Sequence, residues 1–287
     1  MGRVRSTPEL GLNGWGRPSR SEEILILATT CPVGFDITAL RAQVLATYDR
    51  LARDPGGDFH FHRGPRYAAK YLRYDAGELA SLPAACTARF AGVGNPLRIG
   101  PIEPGETVLD HACGAGMDLL LAARRVGPRG RAIGVDMTPA MRDVATSVAA
   151  EAGLGAIVAI RPEFFECLPV DDESVDVVIS NGVVNLAPDK SQVFAEIRRV
   201  LRPGGRLYLA DVVVQRELKN DVRSNPDLWA ACIAGALPEP ELTQLALVSG
   251  LREPRITERF DCFRDTTAEA KVALDLHVQA VNFMARK

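Results

Sequence analysis

The chain has 287 residues, of which 47% are hydrophobic and 24% are charged, and its formal net charge is −2 at pH 7. This composition is typical of a soluble globular protein, and the near-neutral charge gives no reason to expect nucleic acid or a membrane as a partner. The longest early apolar run, residues 24–28, is too short for a membrane span or a secretory signal. The six cysteines show neither a paired framework nor zinc-binding spacing, so we expect free thiols and a cytoplasmic location.

The N-terminal third of the chain is predicted to be a helical extension behind a short tail. Residues 1–22 contain Gly, Pro, Ser and Arg without periodicity, which predicts a flexible tail. Apolar residues recur at helical spacing over 38–53, with Thr38 as a candidate N-cap and Pro55 just beyond the end. We therefore expect residues 23–99 to form helices that cover the functional site as a lid.

The most informative stretch of the chain is residues 108–118, which read VLDHACGAGMD. The apolar residues before Asp110 predict a strand, Gly114 and Gly116 predict a tight turn, and the apolar residues that follow predict a helix. A second apolar run ends in Asp136, some distance after the turn. This arrangement predicts a Rossmann-type sheet that holds a nucleoside, because the glycines allow close backbone approach and the acid accepts hydrogen bonds from ribose hydroxyls.

The rest of the chain divides into a core and a C-terminal region. Strand and helix patterns alternate over residues 100–215, which predicts a mostly parallel α/β sheet. Residues 216–287 are predicted to form a small α+β region on the substrate side, with helices around 228–234 and 239–248 and a strand at 281–287. Within it, Cys262 has apolar neighbours and is expected to be a buried packing residue.

The glycine pattern argues against a dinucleotide. A pyrophosphate-binding turn needs a third glycine where this chain has Met117, and Asp118 at the helix start would repel a pyrophosphate. The segment resembles motif I of the class I S-adenosylmethionine-dependent methyltransferases, usually V-L-D-x-G-x-G-x-G, with Ala112 in place of the first glycine. Later segments resemble further motifs of that family in the same order: residues 133–136, 164–169, 175–181 and 201–209.

This resemblance implies a Rossmann-like α/β fold with S-adenosylmethionine as cofactor and S-adenosylhomocysteine as product. It implies that Phe164 replaces the usual aspartate of the loop around the adenine, so that stacking replaces a polar contact. The residues that the resemblance assigns to the cofactor are Asp110, Ala112, Cys113, Gly114, Gly116, Met117, Asp136, Met137, Phe164, Phe165 and Asn181.

Segments outside the common motifs resemble one subgroup, the arsenite methyltransferases. These segments are residues 94–96, 114–118, 135–139, 180–186, 188–190 and 232–237. The resemblance implies that cysteine thiolates bind trivalent arsenic, which is chemically reasonable because arsenic(III) and sulfur are both soft. The subgroup has cysteines in G-C-G-N-P, S-N-C-V-x-N-L and C-I-x-G-A-L. This chain keeps the last one, Cys232, and has Val93 and Gly182 at the other two positions.

Three acceptors remain open. The chain could methylate trivalent arsenic at Cys232 with help from Cys86, Cys31 or thiols on the substrate such as glutathione. It could act on a methylated or organic arsenical, which needs fewer protein thiols, or on another small nucleophile such as a thiol, a selenium compound or a natural product. A catalytically idle module that only binds S-adenosylmethionine is a further alternative.

The candidate catalytic residues are Cys232, Asn185 and Cys86, and Cys232 is also the candidate arsenic ligand. We expect a small-molecule substrate, which could be a thiol-bound arsenical, and a monomer or dimer.

Overall fold

One sheet organises the chain in the computed structural model, which describes residues 29–225, 228–229, 232–265, 269 and 278–287. The predicted tail and the start of the predicted extension lie outside these residues. The described strands are β1 (Thr107–His111), β2 (Arg131–Asp136), β3 (Val158–Pro162), β4 (Val175–Asn181), β5 (Leu201–Val214), β6 (Leu237–Pro238), β7 (Arg252–Phe260) and β8 (Gln279–Arg286). Their order across the sheet is β3-β2-β1-β4-β5-β8-β7, and β6 pairs with β5.

Helices cover both faces of this sheet, and further helices form the N-terminal extension of the chain. Those of the extension are α1 (Ile37–Arg53), α2 (Gly64–Leu72), α3 (Ala76–Ala80) and α4 (Ala84–Ala88). Those that follow are α5 (Met117–Val126), α6 (Pro139–Glu151), α7 (Lys190–Val200), α8 (Asn220–Arg223) and α9 (Glu239–Val248), together with short 3₁₀ turns at Pro96–Arg98 and Val184–Leu186. The predicted Rossmann-like α/β fold is confirmed. None of the described helices is long and apolar enough to cross a membrane.

The predicted helix near residues 38–53 is present as α1, but its N-cap is Asp36 rather than Thr38. The Asp36 carboxylate accepts a hydrogen bond from the Ala39 amide at 2.9 Å, so the first turn begins one residue before Thr38. At the other end, the Asp54 amide donates to the Arg50 carbonyl, and Pro55 follows as expected.

The strand order creates a crevice at one edge of the sheet. Strands β1 to β5 pair in parallel, and the chain proceeds from β1 to β2 and β3 on one side and from β4 to β5 on the other. The neighbouring ends of β1 and β4 therefore form a topological switch point, where open α/β sheets bind ligands. Strand β1 is buried after its first residue, as expected for a strand covered on both faces.

The C-terminal region completes the sheet rather than standing apart from it. The predicted strand is present as β8, which runs antiparallel between β5 and β7 and is therefore buried on both faces. The predicted helix over 239–248 is α9. The predicted helix around 228–234 lies partly outside the described residues, and Cys232 is in a turn rather than a helix because its backbone has a φ of 61°.

Candidate active site

The turn between β1 and α5 contains three left-handed residues. The φ angles are 63° at Ala112, 52° at Gly114 and 91° at Gly116. Glycine adopts this conformation readily, whereas an L-residue loses roughly 1–2 kcal/mol relative to its right-handed conformation. Ala112 therefore occupies a position that suits glycine, and the turn keeps its shape in spite of the substitution.

The Asp136 carboxylate at the end of β2 holds this turn in place. Its Oδ2 accepts a hydrogen bond from the Gly114 amide at 2.9 Å, and its Oδ1 accepts one from the Thr138 amide at 2.8 Å. Burial raises the pKa of Asp136, and these hydrogen bonds oppose the rise. Because each carboxylate oxygen has more than one lone pair, Asp136 retains capacity to accept from a ligand.

A cavity of about 860 Å³, partly open to solvent, lies beside the turn at the switch point. Its acidic lining residues are Asp110, Asp118, Asp136 and Glu163. Arg89, the basic residue among the described lining residues, donates its guanidinium hydrogens to backbone carbonyls of α1 and α4. The cavity therefore has an acidic wall that suits a ligand with positive charge.

Asp110 has a buried acceptor atom next to this cavity. Its Oδ2 has no hydrogen-bond partner among the described residues, although the residue is buried. Burial, followed by the charges of Asp118 and Asp136, raises the pKa of Asp110 well above the usual value. A cationic group with N–H donors would satisfy the unpartnered oxygen and reduce the repulsion among the carboxylates.

Asn181, at the end of β4, connects the N-terminal extension to this acidic wall. Its Oδ1 accepts from the Val93 amide at 2.8 Å and the Gly94 amide at 3.2 Å. Its Nδ2 donates to Asp118 Oδ2 at 2.9 Å, and the Tyr74 hydroxyl donates to Asp118 Oδ1 at 2.7 Å. Burial raises the pKa of Asp118 to about 6, while these two hydrogen bonds lower it. The loop before β1 is thus fixed across the switch point.

The aromatic side of the cavity differs by one residue from the prediction. Phe164 is 38% exposed and is not among the lining residues. Its ring packs against Arg41, whose Cζ lies 4.8 Å from the ring centroid. Phe165 lines the cavity instead. Its carbonyl oxygen is 2.8 Å from Nε2 of His111, which is fully buried and also contacts the Ser180 hydroxyl at 3.1 Å. Burial lowers the pKa of His111 to about 4, so the ring is neutral near pH 7 and links β1, β4 and this loop.

Most of the residues predicted to bind the cofactor do meet at this cavity. The two exceptions are Phe164, described above, and Gly116. It packs behind the turn, where a Cβ in place of its hydrogen would come 3.4 Å from Ala145 of α6. Those that line the cavity are Asp110, Ala112, Cys113, Gly114, Met117, Asp136, Met137, Phe165 and Asn181.

The three candidate catalytic residues divide into two locations. Cys86 lines the cavity and is buried, its Sγ donates to the Pro83 carbonyl at 3.1 Å, and burial raises its pKa to about 11. Asn185 and Cys232 are not among the lining residues and instead lie together. The sequence-predicted set is therefore not one cluster.

A buried polar group surrounds Asn185, just beyond β4. The backbone amide of Asn185 donates to Asp211 Oδ2 at 3.2 Å, and its side-chain Nδ2 donates to Asp211 Oδ1 at 2.7 Å. Burial and then Asp211 raise the pKa of Cys232 to about 12, and a hydrogen bond from the Asn185 side chain opposes the rise. Asp211, in β5, was missed by the sequence analysis. Its signal is a lone acid within an apolar strand.

The two positions without the expected cysteines lie against each other. A Cβ at Gly182 would come 3.4 Å from Cγ1 of Val93. Val93 is buried, and Gly182 has a φ of 75°. The wall here is therefore apolar. Among the described residues, no group of three or more His, Cys, Asp or Glu side chains is arranged to hold a metal ion.

Comparisons with known proteins identify the family. A family described as "Methyltransferase domain" matches residues 102–261, more than half of the chain. The chain belongs to this family. It is 44% identical over 188 residues to the arsenite methyltransferase of Halobacterium salinarum, a match that covers 66% of this chain and 48% of the relative. It is 38% identical over 157 residues to that of Homo sapiens, covering 52% and 42%. The chain thus spans about half the length of the curated relatives that it matches.

A solved structure extends this similarity. An arsenic(III) S-adenosylmethionine methyltransferase from Chlamydomonas reinhardtii is 36% identical, with a TM-score of 0.64, over 73% of this chain and 71% of that one. A geranyl diphosphate methyltransferase crystallised with sinefungin has a TM-score of 0.60 at 19% identity, over 86% of this chain and 99% of that one. The second match supports the fold alone.

Proposed function

We propose that this chain is an S-adenosylmethionine-dependent methyltransferase whose acceptor is a small trivalent arsenical. The observation that carries the cofactor assignment is the acidic cavity at the switch point, where Asp110 Oδ2 is buried without a partner among the described residues. S-adenosylmethionine carries positive charge on its sulfonium and amino groups, so the donor chemistry fits this wall. The likeness to enzymes named for arsenite methylation supports the acceptor class.

The residues of the cavity suggest how each part of the cofactor would be held. Asp136 is oriented by two backbone amides and can accept from ribose hydroxyls. Asp110 and Asp118 supply negative charge for the cationic end, while Met137 and Phe165 supply apolar surface for the base. When bound, S-adenosylmethionine supplies an electrophilic methyl group on a sulfonium.

Methylation of an arsenic(III) acceptor requires little acid–base catalysis from the protein. The lone pair of arsenic(III) carries no proton, so no general base is needed, whereas an alcohol or amine acceptor would need one. The main tasks are to hold the acceptor in line with the methyl group and to exclude water. Tyr48 and Phe90, from the N-terminal extension, cover the cavity and serve the second task.

The apolar contact between Val93 and Gly182 favours an organic or methylated arsenical over arsenite. An arsenic atom that already carries carbon needs fewer thiols and gains from an apolar wall. The same wall also suits the alternative class of small soft acceptors, such as thiols or selenium compounds. A thiol-bound acceptor, a monomeric or dimeric state and a cytoplasmic location stay predictions of the sequence.

One assay tests this proposal. The purified chain is incubated with labelled S-adenosylmethionine and, separately, arsenite, methylarsonous acid and a thiol or selenol, each with and without glutathione. We expect methyl transfer to be fastest with methylarsonous acid. Cofactor binding by calorimetry without transfer to any acceptor would indicate the idle binding module, and a folded chain that gives no heat of binding would contradict the methyltransferase assignment.

A further inference from the structure

Tyr74 is not among the described residues that line the cavity, but its hydroxyl reaches the Asp118 carboxylate, which is one of them. It occupies the turn between α2 and α3. Arg73 ends α2 in a left-handed conformation with a φ of 61°, and the Asp75 side chain caps the start of α3. The Tyr74 ring is buried and packs edge-on against Phe90, with the ring centroids 5.3 Å apart. The turn and this packing together fix the direction of the hydroxyl.

Both oxygens of the buried Asp118 carboxylate accept a hydrogen bond. Oδ1 accepts from the Tyr74 hydroxyl at 2.7 Å, and Oδ2 accepts from Asn181 Nδ2 at 2.9 Å. The second hydrogen of Asn181 Nδ2 is directed to the Gly94 carbonyl, at 3.0 Å. Because a donor faces each oxygen of Asp118, this arrangement fits a charged carboxylate, which accepts hydrogen bonds and donates none.

A protonated Asp118 would require a different pattern around Tyr74. An acid hydrogen on Oδ2 would meet the Asn181 amide group, which cannot accept it, so it would have to lie on Oδ1 and be donated to the Tyr74 oxygen. The Tyr74 hydrogen would then turn to the Gly94 carbonyl, 3.3 Å away, which is long for a hydroxyl donor. Burial and then Asp118 raise the pKa of Tyr74 well above the usual value, so its hydroxyl keeps its hydrogen. Tyr74 therefore favours the charged form of Asp118.

The groups around Asp118 act on its charge in opposite directions. Burial raises the pKa of Asp118 to about 6, and Asp110 of β1 and Asp136 of β2 add negative charge to the same wall. The two hydrogen bonds to its oxygens lower the pKa, and Arg125 of α5 lowers it further. The other ionisable residues that line the cavity are Arg89, Glu163 and, with pKa values that burial raises, Tyr48, Cys86 and Cys113. The two hydrogen bonds are therefore the main opposition to protonation of Asp118.

We propose that Tyr74 is a positioning residue for the cofactor, whose hydroxyl holds the Asp118 carboxylate in its charged form and in the orientation that receives the cationic end of S-adenosylmethionine. This inference rests on the cofactor of the proposed function and assigns part of its binding to a residue outside the cavity. Tyr74 acts through Asp118, so its hydroxyl matters most at a pH where Asp118 would otherwise take up a proton. Its contribution to cofactor affinity is therefore large at acidic pH and small at alkaline pH.

Tyr74→Phe tests this inference, because it removes the hydroxyl and keeps the ring. Loss of a hydrogen bond to a charged group should raise the pKa of Asp118 by about one unit or more. Calorimetry with S-adenosylmethionine is carried out on both proteins between pH 5.5 and pH 8. We expect the dissociation constant of the variant to exceed that of the unaltered chain at least about tenfold at pH 5.5 and less than about threefold at pH 8. The ratio of the two constants is compared because the amino group of the cofactor titrates equally in both measurements.

Tyr208→Phe provides the matched control. Tyr208 is a buried tyrosine whose hydroxyl donates to the Pro101 carbonyl at 3.0 Å, and it is not among the described residues that line the cavity. Its variant should lose stability as Tyr74→Phe does, but its affinity for S-adenosylmethionine should follow the pH profile of the unaltered chain. A second control combines Tyr74→Phe with Asp118→Asn. In that background Tyr74→Phe should have no pH-dependent effect, because the carboxylate through which it acts is absent.

The outcomes separate this inference from the proposed function. If Tyr74→Phe changes the affinity by the same factor at pH 5.5 and at pH 8, Tyr74 has only a structural role and the inference is wrong, even though the unaltered chain binds S-adenosylmethionine. If Tyr74→Phe does not fold, 3-fluorotyrosine at this position replaces it. Its more acidic hydroxyl donates more strongly and should strengthen binding at pH 5.5, and unchanged binding there would overturn the inference. A folded, unaltered chain that gives no heat of binding at any pH would overturn the proposed function as well.

Discussion

The donor side and the acceptor side of this site are built in different ways. The donor side contains two carboxylates on neighbouring strands, Asp110 and Asp136. The turn between β1 and α5 is fixed by Asp136, which accepts hydrogen bonds from the backbone amides of Gly114 and Thr138. The acceptor side brings together Asn185, Asp211 and Cys232 from three distant segments. The donor side thus depends on the parallel strands and the N-terminal extension, whereas the acceptor side also requires the C-terminal region that carries Cys232. Changes on one side should therefore leave the other largely intact.

The largest effect is expected from Gly235→Ala, a substitution that disrupts the acceptor side alone. A Cβ at Gly235 would lie 1.7 Å from the Asn185 carbonyl oxygen and 2.6 Å from the Trp229 ring. Gly235→Ala must therefore displace the turn that carries Cys232, at a cost of about 3 kcal/mol or more. We expect urea unfolding to show this loss, and methyl transfer to fall far more than the affinity for S-adenosylmethionine.

A matched glycine provides the control for this variant. Gly155 has ordinary space around it, since a Cβ there would meet nothing nearer than 3.8 Å. Gly155→Ala should change the free energy of unfolding by less than about 0.5 kcal/mol. Equal losses in the two variants, or an equal loss of donor and acceptor binding in Gly235→Ala, would contradict the separation of the two sides.

The next effect concerns the pH dependence that the acidic wall produces. Burial raises the pKa of Asp118 to about 6 in the folded chain, above its value of 3.8 in the unfolded chain. The folded chain therefore binds more protons between these pH values, so stability from this group is present at low pH and is lost as the pH rises. The loss amounts to at most about 3 kcal/mol.

Asp118→Asn removes this contribution and also removes the charge that helps to raise the pKa of Asp110, and both changes make the stability of the variant less dependent on pH. We expect the unfolding free energy of the unaltered chain to fall more steeply than that of the variant between about pH 4 and pH 6. The measurement is a series of denaturant titrations across this range. Parallel curves for the two proteins would show that the Asp118 pKa is not raised.

A smaller effect is expected from Asp136→Asn, a substitution that weakens the donor side alone. Asp136→Asn keeps one acceptor oxygen but points an N–H group at one of the two amides, of Gly114 or Thr138. Affinity for S-adenosylmethionine should fall by about 1–3 kcal/mol, the contribution of a hydrogen bond to a charged group. Calorimetry measures this loss. Asp143→Asn, an exposed change on α6, serves as control, and retained binding of methylarsonous acid shows that the acceptor side is intact.

The same contrast explains what the sequence could predict. The donor turn, β4 and Asp136 follow from glycines, acids and apolar runs that stand close together in the chain. Phe164 and Phe165 could not be distinguished, because which of two adjacent rings faces the cavity depends on how the loop packs on His111. Asp211 could not be assigned, because its contact with Asn185 depends on how β5 packs against the turn that follows β4.

The smallest predicted effect concerns Ala112, where the donor turn departs from the glycine expected there. Its φ of 63° is unfavourable for alanine, so Ala112→Gly relieves roughly 1–2 kcal/mol of strain. Glycine also loses about 0.5–1 kcal/mol more conformational entropy on folding, so the net gain should lie between about 0 and 1.5 kcal/mol. Donor affinity should change little, because the turn already has the required shape.

Ala115, in the same turn, supplies the opposite case. It is not among the left-handed residues and is buried, so Ala115→Gly removes a packed methyl group without relieving strain. We expect it to lower the free energy of unfolding by about 1 kcal/mol, so that the two substitutions have opposite signs in one titration experiment. If both lower stability equally, Ala112 is not strained, and the turn owes its shape to the alanine rather than persisting in spite of it.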